Sequence, residues 1–166
     1  RRVHVDGPRG DLWLREGEAP IVAIAGGSGL PPILAMLEDA AERGVERPVT
    51  LLFGAREKRD LYALDRIEAL ESAWRTTFRF VPVLSKADDD ESWTGARGLV
   101  TEHLAKTASA ESHGYLCGPP GMVDAAVVAL RDEGVAPEHV HFDRFTTRAD
   151  AEPAPVAEDA GVWSYL

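Results

Sequence analysis

From Pro20 onward, short apolar runs alternate with stretches of helical periodicity, and no other feature restricts so sharply what this chain can fold into. A continuous apolar run of four to eight residues suits a strand covered on both faces, and a helix between two such runs is the crossover that parallel pairing requires. The chain is therefore predicted as α/β, three layers deep, with helices on both faces of a five-stranded parallel sheet. The expected strands are residues 20–25, 49–53, 78–84, 114–117 and 139–142. Helices are predicted over 31–43, where Ile33, Leu34, Met36, Leu37, Ala40 and Ala41 recur at helical spacing, and over 63–74, 99–106 and 122–133.

In such a sheet ligands collect where strands end and loops leave for the helices. Gly26-Gly27-Ser28-Gly29-Leu30-Pro31-Pro32 follows the first strand. Without side chains in the way, backbone N–H groups there can approach a diphosphate, and the next helix adds its positive end. The spacing is not G-x-G-x-x-G, and no P-loop Lys-Ser/Thr follows, so kinase and ATPase chemistry lose support. Read alone, the same glycines also suit a simple tight turn. Cys117-Gly118-Pro119-Pro120-Gly121-Met122 follows the fourth strand, a backbone shape that opens the strand end to a flat ligand and leaves a polarisable thiol at its lip. Cys117 by itself equally suits a buried structural position.

Charge and cysteine usage narrow the classes further. Eighteen Lys and Arg against 28 Asp and Glu leave a net charge of −10, which opposes non-specific binding to nucleic acid or to an anionic membrane. The single cysteine excludes an internal disulfide, a four-thiolate zinc site and an iron–sulfur cluster held by this chain alone; it fits a reducing cytoplasm. No metal site is expected. No apolar run nears the ~18–20 residues that a membrane-crossing helix needs.

The loops in order are Gly26 to Pro32, Phe53-Gly54-Ala55-Arg56-Glu57, Leu84-Ser85-Lys86, Cys117 to Met122, and Asp143-Arg144-Phe145. This order resembles the NAD(P)H-binding domain of the ferredoxin–NADP reductase family. Within it, the chain looks most like the reductase components of bacterial multicomponent mono- and dioxygenases, of phenol hydroxylase and soluble methane monooxygenase type. The resemblance covers residues 3–146. It implies an NADH-dependent flavoprotein oxidoreductase of which this chain is the nucleotide-binding part: hydride passes from NADH to FAD, and electrons pass through a [2Fe-2S] centre to an oxygenase (hydroxylase) component. Other readings are a flavin reductase, a haem-protein reductase, or an electron-transfer or regulatory subunit like the relative in pyrimidine biosynthesis. No partner among nucleic acids or membranes is implied.

The resemblance also distributes the site. Gly26, Gly27, Ser28, Gly29, Leu30 and Pro31 match the loop that holds the pyrophosphate and ribose; Gly54, Ala55, Arg56 and Glu57 match the loop beside the adenosine half. Cys117, Gly118, Pro119, Pro120, Gly121 and Met122 match the nicotinamide loop, where the cysteine positions the ring and is not a nucleophile. Ser85 and Lys86 lie where NADPH-using relatives carry Ser and Arg, and Arg56 is near, but Glu57, the acidic run from Asp88 to Glu91 and the charge favour NADH over NADPH. Phe145 either covers the flavin or closes the last strand as a core aromatic; Trp163 and Tyr165 are further candidates for covering the flavin or an interface.

Three segments follow from the same comparison. Residues 1–17 are expected to be the last strands of a truncated FAD-binding barrel: an edge strand, the turn Gly7-Pro8-Arg9-Gly10 and a second strand over 11–14. Residues 18–146 form the NAD(H)-binding domain, and 147–166 a Pro/Ala-rich tail. The chain lacks the Arg-x-Tyr-Ser-type flavin motif, so FAD is expected to be held mainly by a domain outside it. The start, without methionine, reads as a cut inside a longer polypeptide that carries the FAD and ferredoxin domains.

Overall fold

The computed structural model describes residues 12–87 and 91–145. Its middle layer is a sheet of β1 (Ile21–Gly26), β2 (Val49–Ala55), β3 (Phe78–Leu84), β4 (Ala96–Arg97), β5 (His113–Gly118) and β6 (Val140–Arg144). The order is β4-β3-β2-β1-β5-β6, and every neighbouring pair is parallel.

Side chains alternate across this sheet, and each face buries its own half. Ile21, Ala23 and Ala25 of β1, Leu51 and Phe53 of β2, and Tyr115 and Cys117 of β5 share one core with α1 (Leu30–Glu42) and α2 (Leu64–Ala73). Val22, Ile24, Leu52 and Leu116 share the other with α3 (Pro120–Asp132) and the 3-10 helix Val100–Lys106. All six residues of β1 are buried, which is why its sequence is an unbroken apolar run and does not alternate. On α1 the face follows the predicted spacing: Ile33, Leu34, Met36, Leu37 and Ala40 are buried, and Ala41 is partly buried at its margin.

Several expectations change. The sheet has six strands where five were expected. The extra one, β4, is two residues long and pairs only with Val83 and Leu84 at the sheet's edge, too short to leave any periodicity. β1, β5 and β6 run past their last apolar residues, because ladder bonds are made by backbone and admit Gly26 opposite Gly54 and Gly118 opposite Arg144. The predicted α-helix over 99–106 is a 3-10 helix over Val100–Lys106; only Val100 and Leu104 are buried there, and the Thr107 hydroxyl donates to the carbonyls of His103 and Leu104 at its end. Residues 12–14 form no strand. Leu14 is buried against the α1 side instead, and Arg47 reaches across to hold the following backbone. The expected edge strand and turn, Asp11, the acidic residues 88–90, the tail, Trp163 and Tyr165 all lie outside the described residues.

The strand order places the site. The chain leaves β1 for β2 on one side and later returns to β5 on the other, so the loops after β1 and β5 diverge and open a crevice at the carboxyl ends. Among the described residues, no helix is long and apolar enough to cross a membrane.

Candidate functional site

Backbone does most of the building. After Gly26 the chain makes a single 3-10 turn, Gly27–Gly29, and enters α1. Gly27 has φ 50°, in the region glycine takes freely. Gly29 has an ordinary φ of −76°, and its lack of a side chain matters for space: a Cβ there would overlap the carbonyl oxygen of Cys117. The turn after β1 and the strand end of β5 thus touch backbone to backbone. Pro31 and Pro32 open α1 and carry no N–H, so the donors this turn can offer an anion are those of Gly27, Ser28 and Gly29.

The cleft above these loops holds about 1100 Å³ and is lined by residues 26–28, 54–57 and 119, together with Ser85, Gly121 and Met122. Segments far apart in sequence therefore meet at one cleft. Gly29 and Leu30 are buried behind the lining as its support, and Pro31, Lys86 and Pro120 lie beside it. Cys117 and Gly118 are buried under the end of β5.

The adenosine-side loop is tied together. Arg59 pairs with Glu57 at 2.9 Å, and the Glu57 N–H donates to the Asp60 carboxylate at 3.0 Å. Backbone bonds from Ser85 to Ala55 (3.0 Å) and from Lys86 to Arg56 (2.9 Å) continue the ladder past the strands, so the loops after β2 and β3 form one surface. Arg56 and Ser85 are exposed on it.

At the other end, burial and then the nearby Asp143 push the Cys117 thiol up to about 11. It is a neutral thiol at neutral pH, not a thiolate. Met122 fills the space beside two glycines: a Cβ on Gly26 would overlap its sulfur, and one on Gly118 would come within 2.8 Å of its methyl. Phe145 is half-buried against the same core as Cys117, and its N–H donates to the Gly118 carbonyl at 3.0 Å. That is the packing one of its two readings required.

Sequence reasoning missed part of the lining. Tyr62 donates its hydroxyl to the Gly27 carbonyl at 2.9 Å, and its ring meets Phe53 edge to face at 5.6 Å. Leu99 is 58% exposed beside Gly98, and Arg59, Asp60 and Thr101 complete the wall. The available signal was an aromatic, Tyr62, standing outside any periodic run; Leu99 reads in the sequence as the start of a helix. No group of three or more His, Cys, Asp or Glu able to hold a metal occurs among the described residues.

A doubly wound parallel sheet with a glycine-lined crevice at its switch point defines a nucleotide-binding α/β domain. This chain belongs to the oxidoreductase NAD-binding domain family, which it matches over residues 23–127. It is 48% identical over 142 residues to the electron transfer component of xylene/toluene monooxygenase from Pseudomonas putida, covering 85% of this chain and 41% of that protein. It is 39% identical over 151 residues to the reductase component of propane 2-monooxygenase from Mycolicibacterium smegmatis, covering 87% and 43%. Among solved structures it resembles a cytochrome P450 reductase from Amycolatopsis, with TM-score 0.76 and 35% identity over 85% of this chain and 43% of that one. The chain spans less than half the length of these relatives.

Proposed function

We propose that the cleft binds NAD(H) and that this chain is the nucleotide-binding part of a flavin-dependent reductase serving an oxygenase. The observation that carries the reading is the convergence of the glycine turn after β1, the Gly54 to Glu57 loop and the loop after Cys117 on one cleft of about 1100 Å³. That volume suits a ligand as large as a dinucleotide, since drug-sized ligands occupy clefts of ~300–1000 Å³. The residues fit the cofactor: N–H donors of the 27–29 turn for the diphosphate, the Glu57 carboxylate as acceptor for ribose hydroxyls, and the flat Pro119 to Met122 wall for the nicotinamide.

When bound, the nicotinamide would supply the hydride that reduces FAD. The chain's own contribution is placement. Cys117, neutral and buried, braces the wall of the ring pocket and offers no nucleophile. Gly29 keeps the phosphate turn and the nicotinamide loop in register, so the two halves of the ligand are held at a fixed separation. FAD and a [2Fe-2S] centre would sit on other domains of the same polypeptide, with residues 1–17 as the end of the FAD barrel, 18–146 as the NAD(H) unit and 147–166 as a tail. The names of the oxygenase relatives support an oxygenase partner, and a single, protonated cysteine suits the cytoplasm.

NADH is the proposed cofactor over NADPH. Glu57 and Asp60 in the wall would oppose a 2′-phosphate; of the two arginines there Arg59 is engaged by Glu57, and Arg56 is the cation set against them. A second reading, in which the acceptor is a haem protein, is favoured by the likeness to the Amycolatopsis cytochrome P450 reductase. Titrating the chain with NADH and NADPH by calorimetry tests the main claim. Binding with NADH tighter is the expected result; no heat at millimolar NADH would sink the cofactor assignment, and tighter NADPH would reverse the preference. Steady-state reduction of an oxygenase ferredoxin centre against a cytochrome P450, by the full reductase, separates the two acceptors.

A further inference from the structure

A loop that accepts an anion must occupy its carbonyls elsewhere and leave its N–H groups toward the ligand. Within one planar trans peptide, C=O and N–H point in opposite directions. In the turn after β1 the deciding carbonyl is that of Gly27, which shares its peptide with the Ser28 N–H. Gly27 has φ 50° and no side chain, so its own sterics do not choose the orientation of that peptide.

Two donors choose it. The Leu30 N–H bonds the Gly27 carbonyl from within the turn. The Tyr62 hydroxyl bonds it from outside, at 2.9 Å, across 35 positions of sequence. Tyr62 is itself held: its ring stands on Phe53 at 88°, and the next residue, Ala63, has φ 53°, the one non-glycine positive φ among the described residues. An alanine adopts that conformation only at a cost, which the surrounding packing sustains. The strained residue lies at the N-cap of α2, where it turns the chain out of the segment that carries Tyr62. Burial and the neighbouring Cys117 raise the Tyr62 pKa, so the phenol remains a donor throughout the neutral range.

We propose that Tyr62 is a positioning residue for the nucleotide diphosphate: by engaging the Gly27 carbonyl it keeps that negative end from the anion and fixes the Ser28 N–H in the donating orientation. The assignment rests on the NAD(H) reading above. It predicts that the hydroxyl acts on the phosphate portion of the ligand and leaves the adenine portion unaffected.

Tyr62→Phe keeps the ring on Phe53 and removes only the hydroxyl. The probes are NADH, ADP-ribose and adenosine, titrated into the wild-type chain and the variant, with the Tm and the amide ¹H–¹⁵N signals of each recorded. The expected result is roughly threefold to tenfold weaker binding of NADH and ADP-ribose, the scale of one lost hydrogen bond. Adenosine affinity stays unchanged, Tm falls by no more than a few degrees, and the Ser28 and Gly29 amide signals of the free variant are displaced. Equal ADP-ribose affinity in the two chains overturns the assignment while the NAD(H) reading stands. An equal loss for adenosine also overturns it, since a general loosening of the cleft would do that. A wild-type chain that binds neither NADH nor ADP-ribose defeats both.

Discussion

At the carboxyl end of the sheet the groups proposed for the diphosphate belong to backbone, while at the amino end side chains have been drawn in to hold backbone. The cleft rests on Gly26, Gly27, Gly29 and Gly54, with Ser28 and Arg56 exposed above them. At the opposite end Arg47 is 4% exposed and donates to the carbonyls of Ala19 (2.5 Å) and Arg15 (2.9 Å). The Tyr115 hydroxyl accepts the Arg15 N–H at 3.0 Å, the Trp74 indole donates to the Arg47 carbonyl at 2.8 Å, and the rings of His113 and His139 stack at 4.2 Å. Burial, then His139, Arg47 and His141, push His113 down to about 4. A strongly shifted titratable group often marks a functional cleft. Here His113 marks the clasp that fastens the segment before β1, while the shifted thiol at the other end, Cys117, lies buried beneath the cleft.

Four measurements would break or sharpen that contrast. The largest effect is expected at the clasp: Arg47→Ala strands two carbonyls and empties a buried site, so stability should fall by about 2–5 kcal/mol. Thermal unfolding measures it, and NADH affinity of the folded chain should not change; a lost affinity with normal Tm would put Arg47 in the binding machinery. Next comes the rim. Gly29→Ala sets a methyl against the rigid Cys117 backbone and should lower stability by about 1–3 kcal/mol, with at least a tenfold loss of NADH affinity. Gly26→Ala meets only the flexible end of Met122 and should do less on both counts. Equal damage from the two would show that the interlock at Gly29 is not what sets the loops.

The pH response should be smaller. A histidine depressed in the folded state takes its proton more readily when unfolded, so stability is fully present above the ordinary value of 6.5 and is lost as pH falls toward about 4. Tm measured between those values should decline, and His113→Gln should flatten the decline; an identical slope in the variant would remove His113 as the cause. The smallest effect belongs to the thiol buried beneath the cleft. With its pKa near 11, Cys117 should react slowly with iodoacetamide from pH 7 to pH 9 in the native chain and quickly in denaturant. Rapid native labelling would mean that the strand end opens.

Much of this molecule could be read from residue order. Strands buried on both faces leave unbroken apolar runs, so β1, β2 and β3 were placed to within two residues, and the inward face of α1 follows the 3.6-residue period. β4 escaped because two ladder residues leave no period to detect, whereas the helix over 99–106 was legible as a helix and only its 3-10 form was not, since Val100 and Leu104 alone are buried in it. The glycine loops were legible for a related reason: a position where a Cβ would strike backbone tolerates only one residue type, and Gly29 is such a position.

What the chain determined by itself was the alternation of strand and helix, hence a parallel sheet, and the short list of loops at its carboxyl ends. Tertiary structure alone decided which face each strand gave to which helix, that Gly29 would meet Cys117, and that Tyr62 would cross to Gly27. It also decided that the buried Arg47 and the paired histidines would serve the fold and not the cleft. The physical reason is reach. Periodicity records what a residue's immediate neighbours bury, whereas a hydrogen bond such as the one spanning 35 positions from Tyr62 to Gly27 exists only once the sheet has brought its ends together.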